Sequence, residues 1–318
     1  MKRKEYLSME MIVQILLLAV GFVMLVKGAD WFVDGASGIA EKFHIPQLII
    51  GLTIVAMGTS APEAAVSISA AIKGNADITI GNIVGSNILN ILIILGLSSV
   101  ITTLAVAKST VKFEIPIMIA ITGLLLVQGL DGTISLIDGI ILVVAFIGYL
   151  TYLFVMAKRD PNMADAPAPQ NKPLWQALLF TVIGLVLIVW GSNVAVDAAS
   201  AIARLLGLSE RFIGLTIVAL GTSLPELFTS VAAARKGNAD IAIGNIVGSN
   251  IFNILFVVGL SSLIIPVPFA AGFIIDSGVA IAAAVLLLLC CLGKKLVRWH
   301  GVVMLLGYGA YFAWLLMK

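Results

Sequence analysis

Glu63 and Glu226 close two nearly identical hexapeptides, "GTSAPE" and "GTSLPE", each inside a stretch apolar enough to cross a membrane. Proline at 62 and 225 removes a backbone donor and displaces the carbonyl four residues earlier. Those carbonyls belong to Gly58 and Gly221, where glycine permits local unwinding. The hydroxyls of Thr59, Ser60, Thr222 and Ser223 lie three or four residues before the carboxylates, so they share a helix face with them. A carboxylate at mid-membrane costs about 2.5–3.5 kcal/mol, and two that face each other also repel. A cation between them relieves both costs. Carboxylates, carbonyls and hydroxyls are hard oxygen ligands, and neither thiolate nor imidazole stands nearby. Ca²⁺ takes about 6–8 oxygens in flexible geometry, and two glutamates would neutralise it. Na⁺ uses the same ligand types, whereas softer metals would want Cys or His.

The segments that follow supply a second wall. "GNIVGSNILN" sets Asn82, Ser86 and Asn90 on one helix face, and its twin sets Asn245, Ser249 and Asn253 likewise. Gly81, Gly85, Gly244 and Gly248 follow the small-xxx-small spacing that lets membrane helices approach closely. Asn87 and Asn250 fall off the stripe and read as interhelical hydrogen-bonding residues. The remaining polar positions read more plainly. His44 and His300 lie near span ends, Asp34 and Asp197 at the ends of the first span of each half. Lys73 and Lys236 sit in solvated connectors. Cys290 and Cys291, the only cysteines, are small packing residues in an apolar run.

The elements that must hold these residues are membrane helices. Of 318 residues 60% are hydrophobic and 11% charged, with mean hydropathy +1.12, against roughly 25% charged in soluble domains. The net charge of +2 gives no reason to expect a nucleic-acid partner; the partner is the bilayer. Spans of about 20 residues fall near 11–29, 46–71, 79–104, 113–130 and 135–157, then near 174–194, 209–233, 242–265, 270–292 and 299–317. "KRDPNMADAPAPQNKP", rich in proline and charge, separates the two sets as an exposed linker. The halves are copies: residues 50–101 and 213–264 differ at 14 of 52 positions without a gap. Because five is odd, the second copy must enter the membrane from the opposite side. The expected fold is therefore all-α, with ten transmembrane helices as two inverted repeats. Residues 11–157 and 174–317 form the repeats, 158–173 is the linker, and helices 2 and 7 are interrupted. Inverted repeats with matching broken helices point to a secondary transporter with its site near the midplane. With the N-terminus outside, 11 basic residues fall on the cytoplasmic side and 7 outside. The positive-inside rule favours that orientation, with a cytoplasmic linker, although the initial "KRK" argues the other way.

At these residues the chain resembles the Ca²⁺:cation antiporter superfamily, which includes the sodium/calcium exchangers. The doubled "GTS-x-PE" followed by "GNIVGSN" is similar to that family's two α-repeats, and the likeness spans essentially the whole chain. The resemblance implies an alternating-access antiporter of the inner or plasma membrane, with no covalent chemistry and no cofactor. It also implies a monomeric functional unit, and a sliding pair formed by the first spans of the two repeats. Carried over by position, the ion ligands are Glu63, Glu226, Thr59, Thr222, Ser60, Ser223, Ser86, Ser249, Asn90 and Asn253, with the carbonyls of Ala56 and Ala219. Sodium/calcium exchangers of this type commonly carry Asp in the second-repeat stripe where this chain has Asn253. Two carboxylates then balance one Ca²⁺ or two monovalent cations. The expected activity is Ca²⁺ exchange for Na⁺. Proton coupling is the alternative, since protonation would neutralise the glutamates as Na⁺ does. A cation channel is the reading from a different class.

Overall fold

The structure, a computed structural model, describes residues 2–159, 173–208, 217 and 219–317. Among these residues eight continuous helices are long and apolar enough to span a membrane, and one bent pair makes a ninth span. In chain order the first half holds α1 (Lys2–Phe43), the bent pair α2 (Gln47–Thr59) and α3 (Ala61–Ile72), and α4 (Asp77–Ile101). The short β1 (Leu104–Ala105), α5 (Thr110–Asp131), β2 (Thr133–Ile134) and α6 (Leu136–Arg159) complete it. The second half holds α7 (Leu174–Leu205), α8 (Leu224–Arg235), α9 (Ala239–Ile264), β3 (Val267–Pro268), α10 (Gly272–Cys291), β4 (Lys295–Leu296) and α11 (Arg298–Met317). A short turn at Ala219–Gly221 precedes α8. Most of the expected linker, and positions 209–216 and 218 of the expected seventh span, lie outside the described residues.

The first span of each half is longer than hydropathy suggested. α1 continues past residue 29 to Phe43, and α7 past 194 to Leu205. Asp34 and Asp197 are therefore inside helices rather than at span ends. Charged residues late in a helix lower a hydropathy average without breaking the backbone, which is why the expected limits fell short. α1 and α7 lie antiparallel along one another, joined by small residues. A methyl group on Gly28 would stand 2.9 Å from the Gly184 carbonyl oxygen, so only glycine lets the backbones come this close.

The interior is formed by α4 and α9, whose apolar windows are 78% and 94% buried. A helix apolar all round belongs inside. Two-residue strands tie the halves together: β1 pairs with β4, and β2 with β3, both antiparallel. The sequence shift that superposes the halves turns β1 into β3 and β2 into β4, so it exchanges the two pairings.

One connector residue is not merely solvated. The Lys236 ammonium donates to the Asp34 carboxylate at 2.7 Å and to the Asp30 carbonyl at 2.7 Å, tying the end of α8 to α1. Among the described residues the corresponding side chains in the other half, Lys73 and Asp197, form no ion pair. Cys290 and Cys291 are buried free thiols.

Candidate cation site

The chain breaks where the prolines predict. α2 ends at Thr59, Ser60 adopts φ −81° and ψ 8°, and α3 leaves at 50° with Pro62 in its first turn. Ser223 repeats this geometry with φ −90° and ψ 4° ahead of Pro225. Both glutamates open the helix that follows, where the N-terminal dipole favours a negative charge. They are buried, Glu63 to 1% exposure and Glu226 to 0%.

The two broken helices serve each other crosswise. The Ser60 hydroxyl donates to Glu226 Oε1 at 2.8 Å, and the Ser223 hydroxyl to Glu63 Oε1 at 3.2 Å. Ser223 also lies 3.4 Å from the Ser86 hydroxyl of α4. The Thr59 hydroxyl reaches Asn245 Oδ1 at 3.0 Å and the Ala56 carbonyl at 3.3 Å. From α9, the Ser249 hydroxyl points at the same Ala56 carbonyl at 3.3 Å. Ala219, the equivalent position, opens the short turn before Thr222.

The asparagine stripes divide into two kinds of work. Asn82 donates to the Glu63 carbonyl (3.3 Å) and Ser67 (3.0 Å), and Asn245 to the Glu226 carbonyl (3.4 Å) and Ser230 (2.9 Å). They hold the broken helices in place. Asn87 and Asn250 donate to one another's backbone carbonyls at 3.2 Å, as interhelical residues should. Their side-chain oxygens also accept from the amides of Asn253 (3.1 Å) and Asn90 (3.0 Å). That fixes the orientation of both amides: nitrogen toward the partner helix, oxygen away from it. π-helical turns beginning at Asn90 and Asn253 aim the residues there, a distortion common at functional sites.

Among the described residues five buried oxygens of this assembly have no hydrogen-bond partner: Glu63 Oε2, Glu226 Oε2, Asn90 Oδ1, Asn253 Oδ1 and Thr222 Oγ1. Buried polar atoms are ordinarily satisfied, and four of these five can only accept. They suit a group that brings positive charge and no demand for acceptors. Among the described residues no three His, Cys, Asp or Glu side chains gather, so the charge here is that of two carboxylates.

Three contributors were not among the expected ligands. Ser67 and Ser230 sit four residues after the glutamates, a spacing visible in the sequence. Ser192 of α7 donates to the Gly221 carbonyl at 2.7 Å, so the carbonyl displaced by Pro225 ties α8 to α7. The equivalent of Ser192 in the first half is Ala29, and no such tie forms at Gly58. Nothing local announces that bond.

A family model described as "Sodium/calcium exchanger protein" matches residues 13–155 and again 176–317. CaxA of Alkalimonas amylolytica is 42% identical over 312 residues, covering 95% of this chain and 98% of that protein. The sodium/calcium exchanger MaX1 of Methanosarcina acetivorans is 34% identical over 340 residues, covering 94% and 97%. Among solved structures, the sodium-calcium exchanger NCX_Mj, determined with zero Na⁺ and Ca²⁺, superposes with a TM-score of 0.85 at 35% identity, covering 96% of this chain and 99% of that one. With helices that span a membrane and a buried oxygen site between two like halves, the chain belongs to the sodium/calcium exchanger family.

Proposed function

We propose that this membrane antiporter exchanges Ca²⁺ for Na⁺ by alternating access, holding either ion between Glu63 and Glu226. The observation that carries the reading is the set of five partnerless buried oxygens, with two negative charges among them. The ligand set is Glu63, Glu226, Thr59, Thr222, Ser60, Ser223, Ser86, Ser249, Asn90 and Asn253, with the carbonyls of Ala56 and Ala219. Coupling follows from competition. Both ions need the same carboxylates, so one must leave before the other binds. A site with bare carboxylates resists the swing, because uncompensated charge would have to cross a closed apolar barrier.

The same reading takes residues 11–157 and 174–317 as inverted five-helix repeats joined by a cytoplasmic linker at 158–173. That gives ten spans in a monomeric unit whose N-terminus is extracytoplasmic. The antiparallel α1 and α7 and the exchanged strand pairings support it. Two carboxylates balance one Ca²⁺ against two monovalent ions.

Everted vesicles given Na⁺ or H⁺ gradients separately test this through ⁴⁵Ca²⁺ uptake. The Na⁺ gradient should drive uptake, and Glu63→Gln or Glu226→Gln should each lower it by about 100-fold, the scale of losing a charged ligand. Uptake driven by the proton gradient alone would assign H⁺ as the coupling ion. Exchange that survives both substitutions would remove the site from consideration.

A further inference from the structure

Glu114 is a third buried carboxylate, away from the broken helices, and nothing above uses it. It ends the π-helical turn that opens α5 and has no exposed surface. One carboxylate oxygen accepts the Tyr152 hydroxyl of α6 at 2.8 Å, while Oε2 has no partner. The buried hydroxyls of Ser109 and Thr110 lie against the same carboxyl without forming a hydrogen bond of good geometry, and the buried Tyr149 hydroxyl, which has no partner among the described residues, is nearby. Among the described residues no ion pair reaches Glu114: the nearby Lys108 and Lys112 are exposed, and Lys112 lies 5.1 Å from the Phe113 ring centroid.

Two further observations separate this cluster from ordinary packing. Residues Thr110–Glu114 form a π-helical turn, the distortion that also begins at Asn90 and Asn253 in the exchange site. A cavity of about 330 Å³, lined by Pro46, Gln47, Lys108, Ser109, Met156 and Asn238 among others, reaches Ser109 at the edge of the cluster. The other half holds a lesser counterpart: the offset between the halves falls from 163 at β1 to 162 at β2, which sets Asp276 opposite Glu114, and Asp276 is only partly buried and accepts the Tyr311 hydroxyl.

We propose that Glu114, with the hydroxyls of Ser109, Thr110 and Tyr149, forms a second cation site that takes one monovalent alkali cation of the Na⁺ class. The charge sets the class. One carboxylate leaves a divalent ion half-neutralised in an apolar setting, which is costly, whereas a monovalent ion is balanced. The neutral oxygens complete a hard donor set. A bound ion would join the start of α5 to α6 beside the cavity.

The test uses the full-length chain carrying Glu63→Gln and Glu226→Gln, so its outcome is independent of what the exchange site binds. Equilibrium binding of ²²Na⁺ to this protein in detergent should show one saturable site per chain. Adding Glu114→Gln should weaken it at least about tenfold, as expected for loss of a charged ligand. Thr110→Val, which keeps the carboxylate, should weaken it less. Thermal melting in NaCl against choline chloride gives a second readout, because a cation bound to the folded state raises the midpoint. That rise should vanish with Glu114→Gln and persist with the conservative Tyr152→Phe. Absence of saturable ²²Na⁺ binding before Glu114 is changed, in protein that melts cooperatively, would overturn the proposal. So would ²²Na⁺ binding unaffected by Glu114→Gln, or proton uptake at Glu114 that excludes Na⁺ at every concentration.

Discussion

At the scale of single residues, the site is set less by its carboxylates than by what orients their neutral neighbours. Asn253 offers its oxygen because its nitrogen is committed to Asn87, and Asn90 is held by Asn250 in the same way. Asn87→Ala removes that anchor without touching a proposed ligand. It should raise the Ca²⁺ concentration for half-maximal exchange by roughly tenfold, the cost of one buried hydrogen bond to a positioned group. An unchanged value in well-folded protein would show that Asn253 needs no such anchor. Asn253→Asp adds a third carboxylate. It should raise the number of monovalent ions exchanged per Ca²⁺ above two, read as a shifted reversal potential in vesicles. The chemistry at this scale was largely legible, because glutamate, proline and hydroxyl residues are conspicuous in an apolar run. The direction of each asparagine was not, since it depends on a partner 160 or more residues away.

At the scale of elements, the broken helix and its twin were visible in Pro62, Pro225 and the adjoining glycines. The lengths of α1 and α7 and the π-helical turns were not. A π turn inserts a residue without any breaker in the sequence, and a long helix can carry charges that end a hydropathy window. The small-xxx-small reading of α9 holds in three dimensions, because a methyl group on Gly248 would stand 2.7 Å from both Cα and the carbonyl oxygen of Leu52 in α2. Backbone cannot step aside as a side chain can. Gly248→Ala should therefore destabilise the protein by about 1–3 kcal/mol, the usual cost of overpacking. Thermal melting in detergent measures it; a wild-type midpoint would mean that α2 and α9 slide freely there.

At the scale of the whole molecule, the asymmetry of one ion pair matters. Lys236 grips Asp34 of α1, while among the described residues no ion pair joins Lys73 and Asp197, its equivalents. If α1 and α7 move together against the remaining helices, the two pairs cannot be closed equally in both end states. The Lys236 and Asp34 side chains keep 28% and 24% exposure, so the pair contributes at most about 1 kcal/mol. Lys236→Gln should shift the ratio of the two facing states by no more than about fivefold. Distance measurements between spin labels on α1 and α8 would show it, and an unchanged distribution would assign the pair no role in that balance.

The crosswise serines carry a consequence for descent. Each glutamate draws its hydroxyl donor from the opposite half, and the first helices of the halves run antiparallel. A lone five-helix ancestor would have owned an acid without its serine and a serine without its acid. It could complete either only by meeting a second copy of itself. Within one chain the two halves are always present in equal number, so neither acid can be made without the serine that serves it.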